Sequence, residues 1–405
     1  MKQLENFGVL ADVKVVYAAA ALAGPFAAQF MADHGADVLW IERAGMPETM
    51  RTYSTRGLAI EAERRNQRTI SLDIPSKEGR AILLKLIENA DIFIESSKGG
   101  QYERWGLSDE ILWAVNPRLV ILHISGFGLT GDPDRIARPS YDPIAQAFGC
   151  MLQLNGFPDR PPISAQPYLA DYLTGLFGCA SALAALHRTG ETGEGESIDL
   201  AQYEVVIRTG GAPLMDYLNE GVAPVREGAR NSKFAGCGAF LCKDGEYVFI
   251  TLAGNAVLNA GLVLVGLTVG SEGFPESAVA IPKGSPAGNR LDTALKKFCL
   301  ARNVTDVDRI FSAASVPCSA VYTYQMAEND PHYAAREVFV EWQDVHGRTV
   351  RGSNIVPKFK RNPGRIQRGA PYVGMDNEAV LQELGYSAED IDALYSSDVL
   401  TRDVG

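Results

Sequence analysis

Short apolar runs alternate with amphipathic stretches through the first half of the chain. Residues 13–17, 38–41, 69–72, 92–94 and 119–124 are runs of aliphatic and β-branched side chains. Apolar runs of that length read as strands buried on both faces. Pro25 suits a first helical turn, where its missing N–H costs nothing, so 26–34 reads as a helix ended by Gly35. Residues 77–89 place Ile82, Leu83, Leu86 and Ile87 on one helical face. This β-α-β-α succession predicts an α/β fold, a parallel sheet covered by helices.

The pattern then changes. Residues 170–187 are rich in Ala and Gly with bulky residues between them, which predicts a tightly packed helix. A Gly/Glu turn at 189–196 leads to a strand at 197–200 and a helix at 203–219. Residues 221–233 show no period and read as a linker. Apolar runs at 239–242 and 247–252 flank Lys243-Asp244-Gly245, a hairpin signal. Residues 271–289, rich in Gly, Pro and Ser, read as a long loop, and 293–300 and 304–314 as helices. The tail from 340 returns to strand-like character and then becomes basic, with Lys358, Lys360, Arg361, Arg365 and Arg368.

Composition narrows the function classes. A chain of 405 residues with 46% apolar and 21% charged residues is globular and long enough for two domains. A net charge of −11 argues against a nucleic-acid binder, but leaves room for a small anion on a local basic patch. The six cysteines lack zinc spacing and the five histidines include no HxxxH pair, so no metal site is expected. The N-terminus carries no signal pattern, and Gly24-Pro25 and Gln29 interrupt the apolar stretch 15–31. A soluble cytoplasmic chain with reduced thiols is expected.

Several residues invite chemistry. Asp171 starts the Ala/Gly-rich helix, where it is a cap, a nucleophilic carboxylate kept ionised by free N–H groups, or both. Lys98 and Arg104 flank Gly99-Gly100 after a strand, where a solvated turn or an anion site would serve equally. Arg64-Arg65-Asn66-Gln67-Arg68 and the basic tail are two further clusters that suggest a polyphosphate ligand. Ser125-Gly126-Phe127-Gly128 reads as a turn at a strand's carboxyl end, where ligands of α/β sheets gather. Gly236-Cys237-Gly238 is a turn or a backbone able to approach a ligand closely.

Taken in order, these segments resemble the class III, CaiB/BaiF-type, coenzyme A transferases. The resemblance runs through Ala23-Gly24-Pro25-Phe26, His34-Gly35-Ala36-Asp37-Val38, Arg65-Asn66-Gln67-Arg68-Thr69 and Ser97-Lys98-Gly99 with Glu103-Arg104. It continues through Tyr141-Asp142, Ala170-Asp171-Tyr172 and Gly193-Glu194-Gly195-Glu196-Ser197. Phe234-Ala235-Gly236-Cys237-Gly238, Met215-Asp216-Tyr217, Asn354-Ile355-Val356-Pro357 and Gly374-Met375-Asp376 look most like the carnitine CoA-transferases. Glu95-Ser96-Ser97-Lys98-Gly99-Gly100 and Lys358-Phe359-Lys360-Arg361 are shared in look with the bile-acid CoA-transferases.

The resemblance implies a Rossmann-like large domain, 1–220 and 327–405, and a smaller α+β domain with linkers, 221–326. It implies an interlocked homodimer, coenzyme A as co-substrate with no permanent cofactor, and no nucleic-acid or membrane partner. It makes Asp171 the nucleophile, forming an aspartyl-CoA thioester while CoA passes from an acyl-CoA to a carboxylic acid. Lys98, Arg104, Arg68, Leu72, Val16 and Ala18 would contact CoA, and Gly236 and Gly238 would face the developing oxyanion. The expected acid is carnitine, with crotonobetainyl-CoA or γ-butyrobetainyl-CoA as donor. A bile acid, or chemistry like that of α-methylacyl-CoA racemase, is the alternative.

Overall fold

A computed structural model describes residues 6–54 and 57–402. The chain forms two compact units. The larger takes Met1–Met151, Ser164–Glu220 and Glu337–Gly405, and the smaller takes Leu152–Ile163 and Gly221–Arg336. The short segment Leu152–Ile163 has no compositional mark that assigns it to the smaller unit.

The larger unit is built on a six-stranded parallel sheet of order β3-β2-β1-β4-β5-β6. The strands are β1 (Lys14–Ala18), β2 (Asp37–Arg43), β3 (Arg68–Leu72), β4 (Ile92–Glu95), β5 (Val120–Ser125) and β6 (Glu196–Ala201). Their side chains divide by strict alternation. Val16, Leu39, Ile41, Phe93 and Ile121 join one apolar cluster, with Ile82, Leu83, Leu86 and Ile87 of the helix Lys77–Ile87. Val15, Tyr17, Val38, Trp40, Ile94 and Leu122 join the other, with Ala27, Ala28 and Met31 of the helix Ala23–Asp33. Both faces are covered, so the predicted continuous apolar runs are what the fold needs.

Helix ends follow local chemistry. The helix Ala23–Asp33 starts before the predicted 26, with Pro25 still in its first turn. At Gly35 φ is 103°, and a Cβ there would lie 1.8 Å from the Phe7 carbonyl oxygen, so only glycine turns the chain into β2. The long helix Leu169–Thr192 lies against Ala23–Asp33, β5 and β6. Gly175 makes that approach possible, because a Cβ would stand 2.7 Å from the Ala23 carbonyl oxygen. By length and composition alone this helix could cross a membrane; here its small residues Ala170, Gly178, Cys179 and Ala182 are buried in the unit.

The cluster Arg64–Arg68 is corrected as a ligand patch. Arg64 and Arg65 are buried away from solvent. Arg65 pairs with Asp33 at 2.7 Å, and Asn66 gives its amide to Asp33 and to the Arg365 carbonyl. Arg64 lies over Trp40 and donates to the Ala21 carbonyl at 3.0 Å. These bonds tie the returning C-terminal segment to the sheet. In the basic tail, Arg368 is likewise committed to the buried Asp376 at 3.0 Å. An antiparallel pair, β10 (Phe339–Gln343) with β11 (Thr349–Ser353), belongs to this unit. The helices Asn377–Glu383 and Ala388–Ser396 close it by packing Val380, Leu381, Ile391 and Leu394 into the first cluster.

The smaller unit is a three-stranded antiparallel sheet, β7 (Cys237–Leu241), β8 (Tyr247–Thr251) and β9 (Cys318–Ala320), with its own apolar core. The hairpin turns at Lys243-Asp244-Gly245 as predicted. The predicted loop 271–289 is shorter than expected. The helix Pro286–Leu300 begins there, with Ser285 accepting from Gly288 N and Pro286 in the first turn, a start signal that the Gly/Pro/Ser composition obscured.

Candidate active site

In a parallel sheet of this order, the chains leaving β1 and β4 diverge to opposite sides and open a crevice at the carboxyl ends. The described residues place a cavity of about 260 Å³ there. Ala20, Ala21 and Ala23 line it from the end of β1, Ser96, Ser97 and Lys98 from the end of β4, and Ile124, Ser125 and Gly126 from the end of β5. Arg138, Ser140 and Tyr141 add a wall, and Asp171 and Gln202 complete it.

Asp171 is the third residue of Leu169–Thr192, not its cap. The cap position is Tyr168, held at φ 108° with no side-chain bond to the helix. The backbone N–H of Asp171 donates instead to Asp142 Oδ2 at 3.1 Å. Asp142 is itself seated at the start of the helix Asp142–Phe148, where Gln146 donates to its Oδ1 at 2.5 Å. Asp171 Oδ1 accepts from the Gln202 amide. The residue is 8% exposed. Burial, then the charge of Asp142, pushes its pKa up to about 7, against the lowering effect of the Gln202 bond. The carboxyl is therefore poised between acid and anion near neutrality. Next to it, Tyr172 donates to Glu63 Oε1 at 2.8 Å, and burial raises the pKa of Glu63.

A second network lies under the floor. His123 of β5 faces a carboxylate at each ring nitrogen: Glu95 at 2.7 Å from Nδ1 and Asp109 at 3.0 Å from Nε2. Burial opposes its charge, yet hydrogen bonds to both carboxylates raise its pKa to about 10, so both nitrogens act as donors. The other oxygen of Glu95 accepts the Ser97 N–H at 2.6 Å, which fixes the loop carrying Lys98.

The expected site residues fall into groups. Asp171 and Lys98 meet at the cavity. Arg104 is exposed on the short helix Gln101–Arg104 after the same loop and donates to Gln101 at 2.9 Å. Ala18 ends β1, and Leu72 ends β3 as a core residue 1% exposed. Val16 sits inside β1, 5% exposed and within the apolar cluster. Arg68 stands at the amino end of β3, away from the carboxyl edge, and its guanidinium is filled by Asp37 at 3.1 Å and Glu383 at 2.9 Å.

Gly236 and Gly238 belong to the smaller unit. Gly236 gives its N–H to Asp292 Oδ1 at 2.9 Å, so the donor expected for an oxyanion is engaged. Gly238 (φ 142°) lies in β7, where a Cβ would stand 2.6 Å from the Ala229 carbonyl oxygen. Its glycine identity thus answers a close backbone approach within that unit.

Gln202, Ser140 and Arg138 were not singled out from the sequence. The available signal was position: Gln202 directly follows the carboxyl end of β6, where this fold concentrates ligand contacts. No group of His, Cys, Asp and Glu able to hold a metal occurs among the described residues.

Comparison with known proteins agrees with this architecture. The family model of CoA-transferase family III matches residues 10–377. A crystal structure of a CAIB/BAIF family protein from Brucella suis is similar, at 28% identity and TM-score 0.80, over 94% of this chain and 100% of that one. Rv3272 from M. tuberculosis shares the fold at 21% identity and TM-score 0.78, over 92% of this chain and 99% of that one. The match spans nearly the whole chain, and with it the sheet, the crevice and Asp171: the chain belongs to CoA-transferase family III and is a CoA-transferase.

Proposed function

We propose that Asp171 carries CoA between an acyl-CoA and a carboxylic acid as an aspartyl-CoA thioester. The observation that carries this reading is a buried carboxylate with a pKa near 7 in a cavity that also takes the cation Lys98. Asp171 attacks the thioester carbonyl, the C–S bond breaks, and a mixed anhydride forms with CoA thiolate beside it. The thiolate attacks the aspartyl carbonyl and expels the first acid as carboxylate. The acceptor carboxylate then adds to the aspartyl thioester and the steps run in reverse. Each step exchanges one activated acyl group for another, so the cycle conserves its activation. Burial of Asp171 protects the anhydride from water. Lys98 and Arg104 are the cations we assign to CoA phosphates.

For the acid we favour carnitine, with crotonobetainyl-CoA or γ-butyrobetainyl-CoA as donor. A quaternary ammonium group seeks aromatic faces, and Tyr141, Tyr168 and Tyr172 flank Asp171 in sequence or at the cavity. A bile acid is the competing acceptor and would need a longer apolar wall. A racemase needs a neutral imidazole as base, and His123 is engaged at both nitrogens. The decisive experiment is intact-protein mass spectrometry after incubation with acyl-CoA. A CoA adduct mapping to Asp171 supports the reading, and an unmodified Asp171 under turnover refutes it.

A homodimer is part of the same proposal. The helix Gly211–Glu220 has no buried residue and exposes Met215, Tyr217 and Leu218, while Leu176 and Phe177 are exposed on Leu169–Thr192. A second copy would cover such surface. Interlocked chains cannot part without unfolding, so sedimentation at nanomolar concentration should show dimer; a folded active monomer refutes it. The cysteines are all free thiols, in keeping with a cytoplasmic site of action.

A further inference from the structure

Gln202 is the first residue of the helix Gln202–Arg208, directly after β6. Val205 and Val206 bury the inner face of that helix. A Cβ on Gly149 would lie 2.6 Å from Val206, so the helix is seated closely on the end of Asp142–Phe148. Gln202 is 6% exposed and lines the cavity. Its Nε2 donates to Asp171 Oδ1, and its Oε1 accepts from Ser140 Oγ at 3.4 Å. The carboxylate sets the polarity of the amide: ionised, it only accepts, so nitrogen faces it and oxygen turns toward the Ser140 hydroxyl, which lies 3.4 Å from the Tyr141 carbonyl as well. The backbone of Asp171 is held separately by Asp142. Asp171 Oδ2 receives no hydrogen bond among the described residues.

We infer that Gln202 is a further catalytic residue of this site, which presents Oδ2 of Asp171 for attack and then stabilises the charge that develops on Oδ1. The inference rests on the reading of Asp171 as nucleophile. With Oδ1 tied to the amide, the new bond to the acyl carbon forms at Oδ2. When the CoA thiolate adds to the aspartyl carbonyl carbon Cγ, the electron pair of the Cγ=Oδ1 bond moves onto Oδ1, beside the Gln202 N–H. Collapse restores that double bond and breaks Cγ–Oδ2. Oδ2 leaves with the first acid, and Oδ1 remains as the carbonyl oxygen of the thioester. A donor fixed on the oxygen where charge appears, in a site with little water, lowers the barrier of every aspartyl step.

Replacing Gln202 by Met keeps the volume and removes the donor. In Gln202→Met we expect KM for the acyl-CoA within about twofold of wild type and kcat lowered by ~10²–10³, the loss seen for one oxyanion donor. The acidic limb of kcat/KM should move to higher pH, since the ionised carboxylate has lost a donor. A residue that merely supports the fold would leave that limb in place. Ser140→Ala, a milder change that frees the amide to turn, should move the limb the same way, and it decides the matter if Gln202→Met fails to fold. A folded Gln202→Met enzyme with unchanged kcat and an unmoved limb overturns the inference. Adduct mapping separates the two readings. Wild type without a CoA adduct on Asp171 overturns the nucleophile and this inference with it. Wild type with the adduct, beside an unimpaired Gln202→Met, overturns the inference alone.

Discussion

Asp142 Oδ2 accepts the backbone N–H of Asp171 at 3.1 Å, which holds two carboxylates together at one helix start. The bond positions the carboxyl proposed as nucleophile, and the charge of Asp142 helps keep its proton on. Only the anion attacks, so kcat/KM should rise with pH and level off above about 7. Asp142→Asn retains an oxygen that can accept the N–H but removes the like charge. Its acidic limb should therefore fall to lower pH, as a pH–rate profile will show; an unmoved limb would mean that burial alone sets the value.

Asp171→Asn should abolish transfer and leave CoA binding intact. The same variant bears on stability. The folded state binds the Asp171 proton more tightly than the unfolded chain does. Its contribution therefore declines as pH rises from about 4, the unfolded value, through the folded value near 7, and stays low above it. Above that range Asp171→Asn should be more stable than wild type by roughly 1–3 kcal/mol, measured by denaturant unfolding. Equal stability at high pH would show that the carboxylate is solvated in the folded enzyme.

Lys98→Ala should weaken CoA binding by ~1–3 kcal/mol, the scale of a charge-assisted hydrogen bond. The phosphates are common to every acyl-CoA, so KM should rise alike for all donors tested. An effect confined to one acyl group would move Lys98 into the acid pocket.

His123 is a buried cation between Glu95 and Asp109. A histidine whose folded pKa is raised stabilises fully below its unfolded value near 6.5 and loses that contribution as pH climbs through about 10. Unfolding curves between those limits should show declining stability in wild type. His123→Gln should lack that decline and should loosen the Ser97 loop, read as a raised KM for acyl-CoA. An imidazole signal titrating near 6.5 by NMR would contradict the arrangement.

Gly175→Ala should destabilise the larger unit by ~1–3 kcal/mol, because the added methyl meets the Ala23 carbonyl, which cannot retreat without moving its helix. Thermal melting checks this, and a melting point equal to wild type would show that the helices can part.

The layers of the larger unit were legible in the apolar pattern of the chain. Ile92–Ile94 is wholly apolar and the run 119–124 is apolar but for His123, and short runs of that kind form strands buried on both faces of a sheet. Lys98 and Asp171, which meet at the cavity, were legible as candidates for a related reason: each follows an element boundary marked by local composition. Folding settles which polar residues stand at the cavity and which are spent elsewhere. Arg64 and Arg65 look like Lys98 on paper, but one is buried over Trp40 and the other is paired with Asp33. Asp171 looked like a cap, yet only the arrival of Asp142 and Gln202 from other elements makes it a buried carboxyl poised near neutrality, the property on which its proposed role as nucleophile rests. Periodicity reports which face of an element is buried; it carries nothing about which distant side chain will stand opposite, because that pairing exists only after the chain has folded.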